Sequence, residues 1–226
     1  ELHLLSQPTF LDGTFFLDTS FLNLQRRKGQ NVKRFSKEGG WKAQWISSLG
    51  TVTEFGLQGR WDLYRVTNLL LNDGSHYSGQ RIRFSPKTHA NLKYPFYKTV
   101  KGGRFVVEPV VGFVVTANHR NSPRIPNEDS SLFELSDANI LSPNRLTGLD
   151  VVDEWSRINY GTKFAYYSKE IGNSELFLGQ SHSLSKVPDT LEPTGLRSRQ
   201  SDYVVRANYT YRDWVDLSSR LLLNKR

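Results

Sequence analysis

Residues Tyr203–Arg212 read YVVRANYTYR, and their alternation decides the fold. Tyr203, Val205, Ala207, Tyr209 and Tyr211 fall on one side of an extended chain; Val204, Arg206, Asn208, Thr210 and Arg212 fall on the other. Successive side chains of a strand point to opposite faces, so this is a strand with one apolar, aromatic face and one largely polar face. The pattern recurs upstream. Ile158, Tyr160, Thr162, Phe164 and Tyr166 oppose Arg157, Asn159 and Lys163. Phe55, Leu57, Trp61 and Leu63 oppose Glu54, Gln58, Arg60 and Asp62. Phe105–Thr116 is apolar on both faces apart from Glu108 and Thr116. The apolar face of Phe15–Leu24 changes after Phe21, which predicts a bulge there. Period 3.6 is scarce.

The connections carry a second signal. Links fall at Leu11–Gly13, Arg26–Asn31, Ser47–Gly50, Thr67–Gly79, Lys98–Gly103, Ala117–Asp153, Ser168–Ser174, Val187–Gln200 and Asp213–Trp214. Shorter and longer ones alternate, and the shorter set is rich in the Gly, Asn, Asp and Ser of hairpin turns. A meander with short turns on one rim and long loops on the other is the build of an outer-membrane barrel. Ala117–Asp153 is then an external loop, and Asp213–Trp214 lies at the periplasmic rim. Tyr203–Tyr211 extends roughly 30 Å and, tilted by ~45°, covers a little over 20 Å, close to a ~25 Å apolar band. Tyr209, Tyr211 and Trp214 would form the periplasmic aromatic girdle. A soluble β-sandwich also alternates. It requires neither the loop rhythm nor so many strands with a polar second face. The expected fold is therefore all-β: an antiparallel up-and-down transmembrane β-barrel segment, roughly ten strands of a larger barrel. Residues 1–226 form one partial barrel domain in this reading. Pro95 and Pro109 fall inside strand patterns and should mark bulges or strand ends.

Composition narrows the classes. The 226 residues are 23% charged and 37% hydrophobic, which excludes a disordered tail. The net charge of +8 admits nucleic acid, anionic lipid or another phosphate-bearing partner, and equally a plain solvated basic surface. Cysteine is absent, so there is no disulfide and no Cys-ligated metal. Methionine is absent even at position 1, so a piece of a longer polypeptide is expected. Mean hydropathy is −0.52, and no apolar run reaches the ~18–20 residues of a spanning helix. That excludes a helical membrane protein but not a barrel.

Pro126–Tyr160 is the longest interruption. It reads PNEDSSLFELSDANILSPNRLTGLDVVDEWSRINY and is dense in turn formers. It also keeps Leu132, Phe133, Leu135, Ile140, Leu141 and Leu149, so it should fold back onto something rather than stay disordered. The acidic pairs Glu128–Asp129 and Asp153–Glu154 could do acid–base work, but in a turn-rich loop they more often cap amides or pair with Arg. His3, His76, His89, His119 and His182 show no ligand spacing, so no metal site is expected. No serine sits in a nucleophile elbow. Gly39–Gly40 and Gly102–Gly103 read as turns, not phosphate loops. Aromatic and basic residues interleave at Arg206–Arg212, but on opposite faces, which spoils a nucleic-acid stacking groove. No enzyme, cofactor or nucleic-acid partner is indicated. Arg157, Asn159, Lys163, Arg206, Asn208 and Arg212 would face a water-filled lumen, where cations can guide phosphates or sugars.

The stretch PNEDSSLFELSDANILSPNRLTGLD followed by SRINYGTKF resembles the C-terminal barrel domain of the LptD family, the LPS-assembly proteins of Gram-negative outer membranes. The carrying residues are Pro126, Asn127, Asp129, Ser130, Asp137, Asn139, Arg145, Thr147, Gly148, Asp150 and Asn159–Gly161. LGQSHSL at Leu178–Leu184 and RQSDYVVRANYTYRDWVDLSSR at Arg199–Arg220 are similar to the alphaproteobacterial branch, and KYPFYK…GGRFVVEPVV at Lys93–Val111 also fits. Two positions depart: the family commonly has Arg where Val151 stands and Phe where Leu141 stands. The resemblance implies a very large barrel behind a periplasmic β-jellyroll, plugged by the lipoprotein LptE. LPS would arrive by a bridge ending at LptA and leave laterally between the first and last strands. This chain would supply middle strands and a large external loop, and its surroundings would be outer-membrane lipid. The competing readings are a general outer-membrane porin or receptor barrel for small solutes, and a soluble carbohydrate-binding module.

Overall fold

The computed structural model describes residues 1–8, 10–117, 121–131, 133–185, 187, 194–197, 199–212 and 214–224, with the backbone alone at 197. Leu132, His119 and Asp213 of the sequence reading lie outside the described residues, as does most of the link after 187.

The strands are β1 (Leu2–Leu5), β2 (Thr14–Leu24), β3 (Asn31–Ile46), β4 (Val52–Leu70), β5 (His76–Lys93), β6 (Phe96–Val100), β7 (Gly103–Thr116), β8 (Arg157–Ser168), β9 (Gly172–Ser183), β10 (Leu196–Arg197), β11 (Gln200–Ser201), β12 (Tyr203–Tyr211) and β13 (Val215–Leu223). They form one 13-stranded antiparallel sheet in which each long strand pairs with the next in sequence. The short strands β6, β10 and β11 are appended to it, and β1 and β13 are its open sides. Among the described residues no helix is long and apolar enough to cross a membrane.

The two faces invert the usual order. The outer face leaves Leu57, Trp61, Leu63, Phe84, Phe113, Leu178 and Leu221 exposed. The inner face buries Arg34, Arg60, Asp62, Arg83, Asn91, Arg157, Asn159 and Ser181. A soluble sandwich hides its apolar face and wets its polar one. Bare aliphatic and aromatic side chains outside, with polar ones inside, are what a barrel wall in lipid requires. The fold is a partial, antiparallel β-barrel.

Four local expectations are corrected. The link placed at Thr67–Gly79 shrinks to the turn 71–75, because β4 and β5 stay paired past a register shift between Val66 and Leu69. With that, the early links become similar in length, and the loop rhythm rests on 117–156 and the link after β9, which share one rim. The bulge after Phe21 is absent: β2 pairs with β3 in unbroken register from Thr14 to Leu24. Gly39–Gly40 is no turn but lies mid-strand in β3, where a Cβ on Gly40 would stand 2.4 Å from the Leu57 carbonyl and 2.7 Å from the Phe16 ring. Gly102 does turn, with φ +89.

Pro109 has a clear physical reason. β6 pairs with β7 up to Val107, and β5 pairs with β7 from Val110 onward. Pro109 sits at the handover, where its missing N–H interrupts no ladder on that side. Its carbonyl still accepts from Tyr94 N–H at 3.2 Å. Pro95 falls between β5 and β6.

Candidate functional site

After Thr116 the chain leaves the sheet, and residues 121–131 and 133–156 pack on its inner face. Asp150 is the first hub. Its Oδ1 accepts from Arg34 Nη1 of β3 at 2.6 Å and from the Tyr64 hydroxyl of β4 at 2.9 Å. Its Oδ2 accepts from the backbone N–H of Glu128 at 2.7 Å and of Asp129 at 3.2 Å. Asp129 returns the contact: its Oδ1 accepts from the N–H groups of Leu149 and Asp150, and its Oδ2 pairs with Arg34 Nη1 at 2.8 Å. Ser130 Oγ accepts from the N–H of Asp150 and Val151. Asn127 closes a small turn, donating to the Ser130 carbonyl and accepting from its N–H. The segments 127–130 and 147–151 are thus zipped together by side chains on backbone.

Gly148 permits the zip. Its φ is +74, and a Cβ there would lie 2.4 Å from the Asp129 carbonyl oxygen. Pro126 is buried beside this turn.

Arg83 of β5 clamps the far side, donating to the carbonyls of Asp150 and Leu149, each at 2.6 Å. It shares Asp62 of β4 with Arg60, and Arg60 also reaches the Leu149 carbonyl at 2.9 Å. At the rim, Arg26 donates both terminal nitrogens to Glu128 at 2.8 and 2.7 Å. That hydrogen bond dominates over burial and holds the Glu128 carboxyl below its usual range.

Asp153 is the second hub. Arg145 Nε and Arg157 Nη1 each lie 3.0 Å from its Oδ2, and all three side chains are at 0% exposure. Burial pushes the Asp153 carboxyl up, but Arg157 and Arg145 outweigh it and bring it down to about 2. Arg157 also donates to the carbonyls of Ser142 and Pro143, and Arg145 reaches Ser181, whose hydroxyl donates to Asn159 Oδ1 at 2.7 Å. Glu154 takes the opposite course: burial lifts its carboxyl to about 7, against the Asn121 N–H and the charge of Arg83.

The third hub is Asp137, which pairs with Arg206 of β12 at 2.7 Å and Arg220 of β13 at 3.1 Å. Asn139 ties the neighbouring turn by accepting from Ser136 N–H and donating to the Glu134 carbonyl. This drops Ile140 into an apolar cluster with Leu135, Val187 and Leu196 over Val110, Phe177 and Val204. Gly179 leaves room for Ile140, and Gly112 leaves room for Leu141.

The loop motif residues therefore converge on one packed body. Of the polar-face residues, Arg157, Asn159, Lys163, Arg206 and Asn208 share the inner face, with Lys163 paired to Glu108 at 3.3 Å. Arg212 does not belong to β12: it stands past its end in the turn, with φ +50. Sequence reasoning missed Arg34, Tyr64, Arg83 and Arg26 as partners of the loop. The alternation of Arg60 and Asp62 on one face of β4 was the available signal, since ionic side chains on a buried face need partners.

An apolar outer wall, a polar inner wall and a loop folded inside define a transmembrane β-barrel of the Gram-negative outer-membrane type. The chain belongs to the LptD family, LPS transport system D, whose family model matches residues 2–226. LptD proteins serve LPS transport at the outer membrane. Among curated proteins none matches the chain.

Proposed function

We propose that this chain is wall and internal cap of a barrel that inserts LPS into the outer leaflet of the outer membrane. The observation that carries the reading is the loop 117–156. It is fastened to the inner face by buried ion pairs at Arg34 of β3 and Arg157 of β8, and by more exposed ones at Arg206 of β12 and Arg220 of β13, while the outer face stays apolar. A wall sealed in this way separates the two rims and leaves passage to other parts of the barrel. The work is packing and guidance, with no bond chemistry.

In this reading Arg157, Asn159, Lys163, Arg206 and Asn208 line the lumen, and the body built on Asp129, Arg145, Gly148 and Asp150 caps it or seats the LptE plug. LptA delivers LPS from the periplasmic side. The test is depletion of the full-length protein in its host, followed by surface labelling of LPS. Loss of newly made LPS from the surface, with accumulation behind the outer membrane, supports the reading. Normal surface LPS with altered uptake of a small solute assigns the chain to the porin or receptor class instead. Deletion of 127–150 tests the cap: unchanged plug binding and unchanged antibiotic exclusion would refute it.

A further inference from the structure

Among the described residues, the loop covers the inner face toward one rim and leaves it open toward the other. At the open end, a cleft of about 600 Å³ is lined chiefly by Arg104, Ser168, Lys169, Asn173, Thr210 and Arg212. Three of these residues are cationic and none is acidic. Among the described residues, no ion-pair partner stands against Arg104, Lys169 or Arg212. The carboxylates further along the same face are already engaged: Glu108 with Lys163, and Glu175 with Arg206 and the Tyr167 hydroxyl. Glu170 in the adjoining turn and Asp216 opposite Thr210 lie outside the lining.

The cleft is held in shape. The Arg104 guanidinium lies over the Tyr97 ring at 5.5 Å and that of Arg212 over Tyr211 at 5.2 Å. Stacking restrains a guanidinium while leaving its N–H edge free to donate. Gly172, with φ +90, brings its turn against β12 so closely that a Cβ would meet the Thr210 carbonyl at 2.4 Å. That approach places Lys169 and Arg212 on one cleft. Ser168, Asn173 and Thr210 add neutral polar groups around the charges.

We propose that this cleft is a binding site for a phosphate group carried by a lipid headgroup. Phosphate presents several acceptor oxygens and negative charge, and arginine forks joined by a lysine match it better than a single carboxylate would. The choice of a lipid over a free anion rests on the transport reading given above; the phosphate chemistry does not.

The test uses the full-length protein in its native membrane, with the photocrosslinking residue p-benzoylphenylalanine in place of Asn173. Irradiation is expected to capture a phosphorus-containing lipid, and Arg104→Gln/Lys169→Gln/Arg212→Gln is expected to lower the yield roughly tenfold through loss of charge-assisted contacts. Arg104→Lys/Arg212→Lys keeps the charge and should retain most of the adduct. Unchanged migration of the unboiled barrel on gels shows that each variant is folded. Titration of the purified protein with inorganic phosphate separates the sources: tight binding of the free ion without a lipid adduct overturns the lipid assignment. A protein adduct overturns the proposal in favour of an acidic partner segment. An adduct indifferent to the charge variants overturns it outright. A captured glycerophospholipid instead of LPS supports the site while counting against the transport reading, so the two fail separately.

Discussion

The Arg145 guanidinium meets the Asp153 carboxylate at 3.0 Å with both side chains fully withdrawn from solvent, and Arg157 meets the same oxygen at 3.0 Å. One anion holds two cations, and backbone carbonyls satisfy Arg157 further. The arrangement ties the end of the loop to the strand it leads into.

Asp153→Asn removes the charge that both arginines share. Breaking a buried pair from one side costs about 3–5 kcal/mol. The full-length protein in detergent should lose its heat-modifiable mobility at a lower temperature, and Trp155 fluorescence should report earlier opening. Adding Arg145→Met to Asp153→Asn should recover part of the loss, because one buried guanidinium, that of Arg157, is then left without its anion instead of two.

Gly148→Ala should loosen the zip between 127–130 and 147–151. It combines a left-handed backbone with a Cβ 2.4 Å from the Asp129 carbonyl. Strain of this kind costs about 1–3 kcal/mol before the clash is counted. Gly29, also at positive φ, has open space around it, so Gly29→Ala is the milder control. Limited proteolysis within 121–156 distinguishes the two. Equal resistance of both variants would remove the role assigned to Gly148.

The two adjacent carboxyls give opposite pH dependences. Asp153 is lowered to about 2, so its stabilisation is present above the ordinary carboxylate range near 4 and is lost as pH falls toward 2. Glu154 is raised to about 7, so the folded loop holds its proton more tightly than the unfolded chain does. Its contribution is complete below about 4.5 and declines as pH rises to 7. Thermal melts should show that decline in the natural sequence and lose it in Glu154→Gln. A decline that survives the substitution would trace it to another group.

Leu178 stands exposed on the outer face at mid-strand of β9. Leu178→Arg should destabilise the lipid-embedded barrel by about 2–4 kcal/mol, whereas Asn208→Lys on the inner face should cost far less. Equal, small effects in lipid would contradict the assignment of faces.

The 226-residue chain expressed alone presents β1 and β13 with one neighbour each. Unpaired ladder groups are costly in hydrocarbon, so it should misfold or aggregate in detergent. A monodisperse, protease-resistant species would overturn that expectation.

The strands and faces were legible because alternation is a local property: Tyr203–Tyr211 and Arg157–Tyr166 obey it residue by residue. The bulge expected after Phe21 is absent because the register with β3 outweighs a change in the apolar pattern, as a slip there would send every following side chain of β2 to the opposite face. Gly39–Gly40 was misread because close packing against Phe16 and Leu57 demands the same residue as a turn. The loop's mixed composition showed that it folds back. Its partners were hidden, since Arg34 lies more than a hundred positions from Asp150. Nothing local in arginine-bearing strands distinguishes a lumen-solvated guanidinium from one that clamps a loop carbonyl.

The buried polar fastenings of the loop run from Arg34 on β3 to Arg157 on β8. Geometrically, the sheet is an arc and the loop is its chord. An arc whose chord is fixed cannot change its radius without breaking the ties at both ends. This sector of the wall therefore behaves as a stiff shell, and any widening of the barrel must be taken up by strands outside the span that the chord subtends.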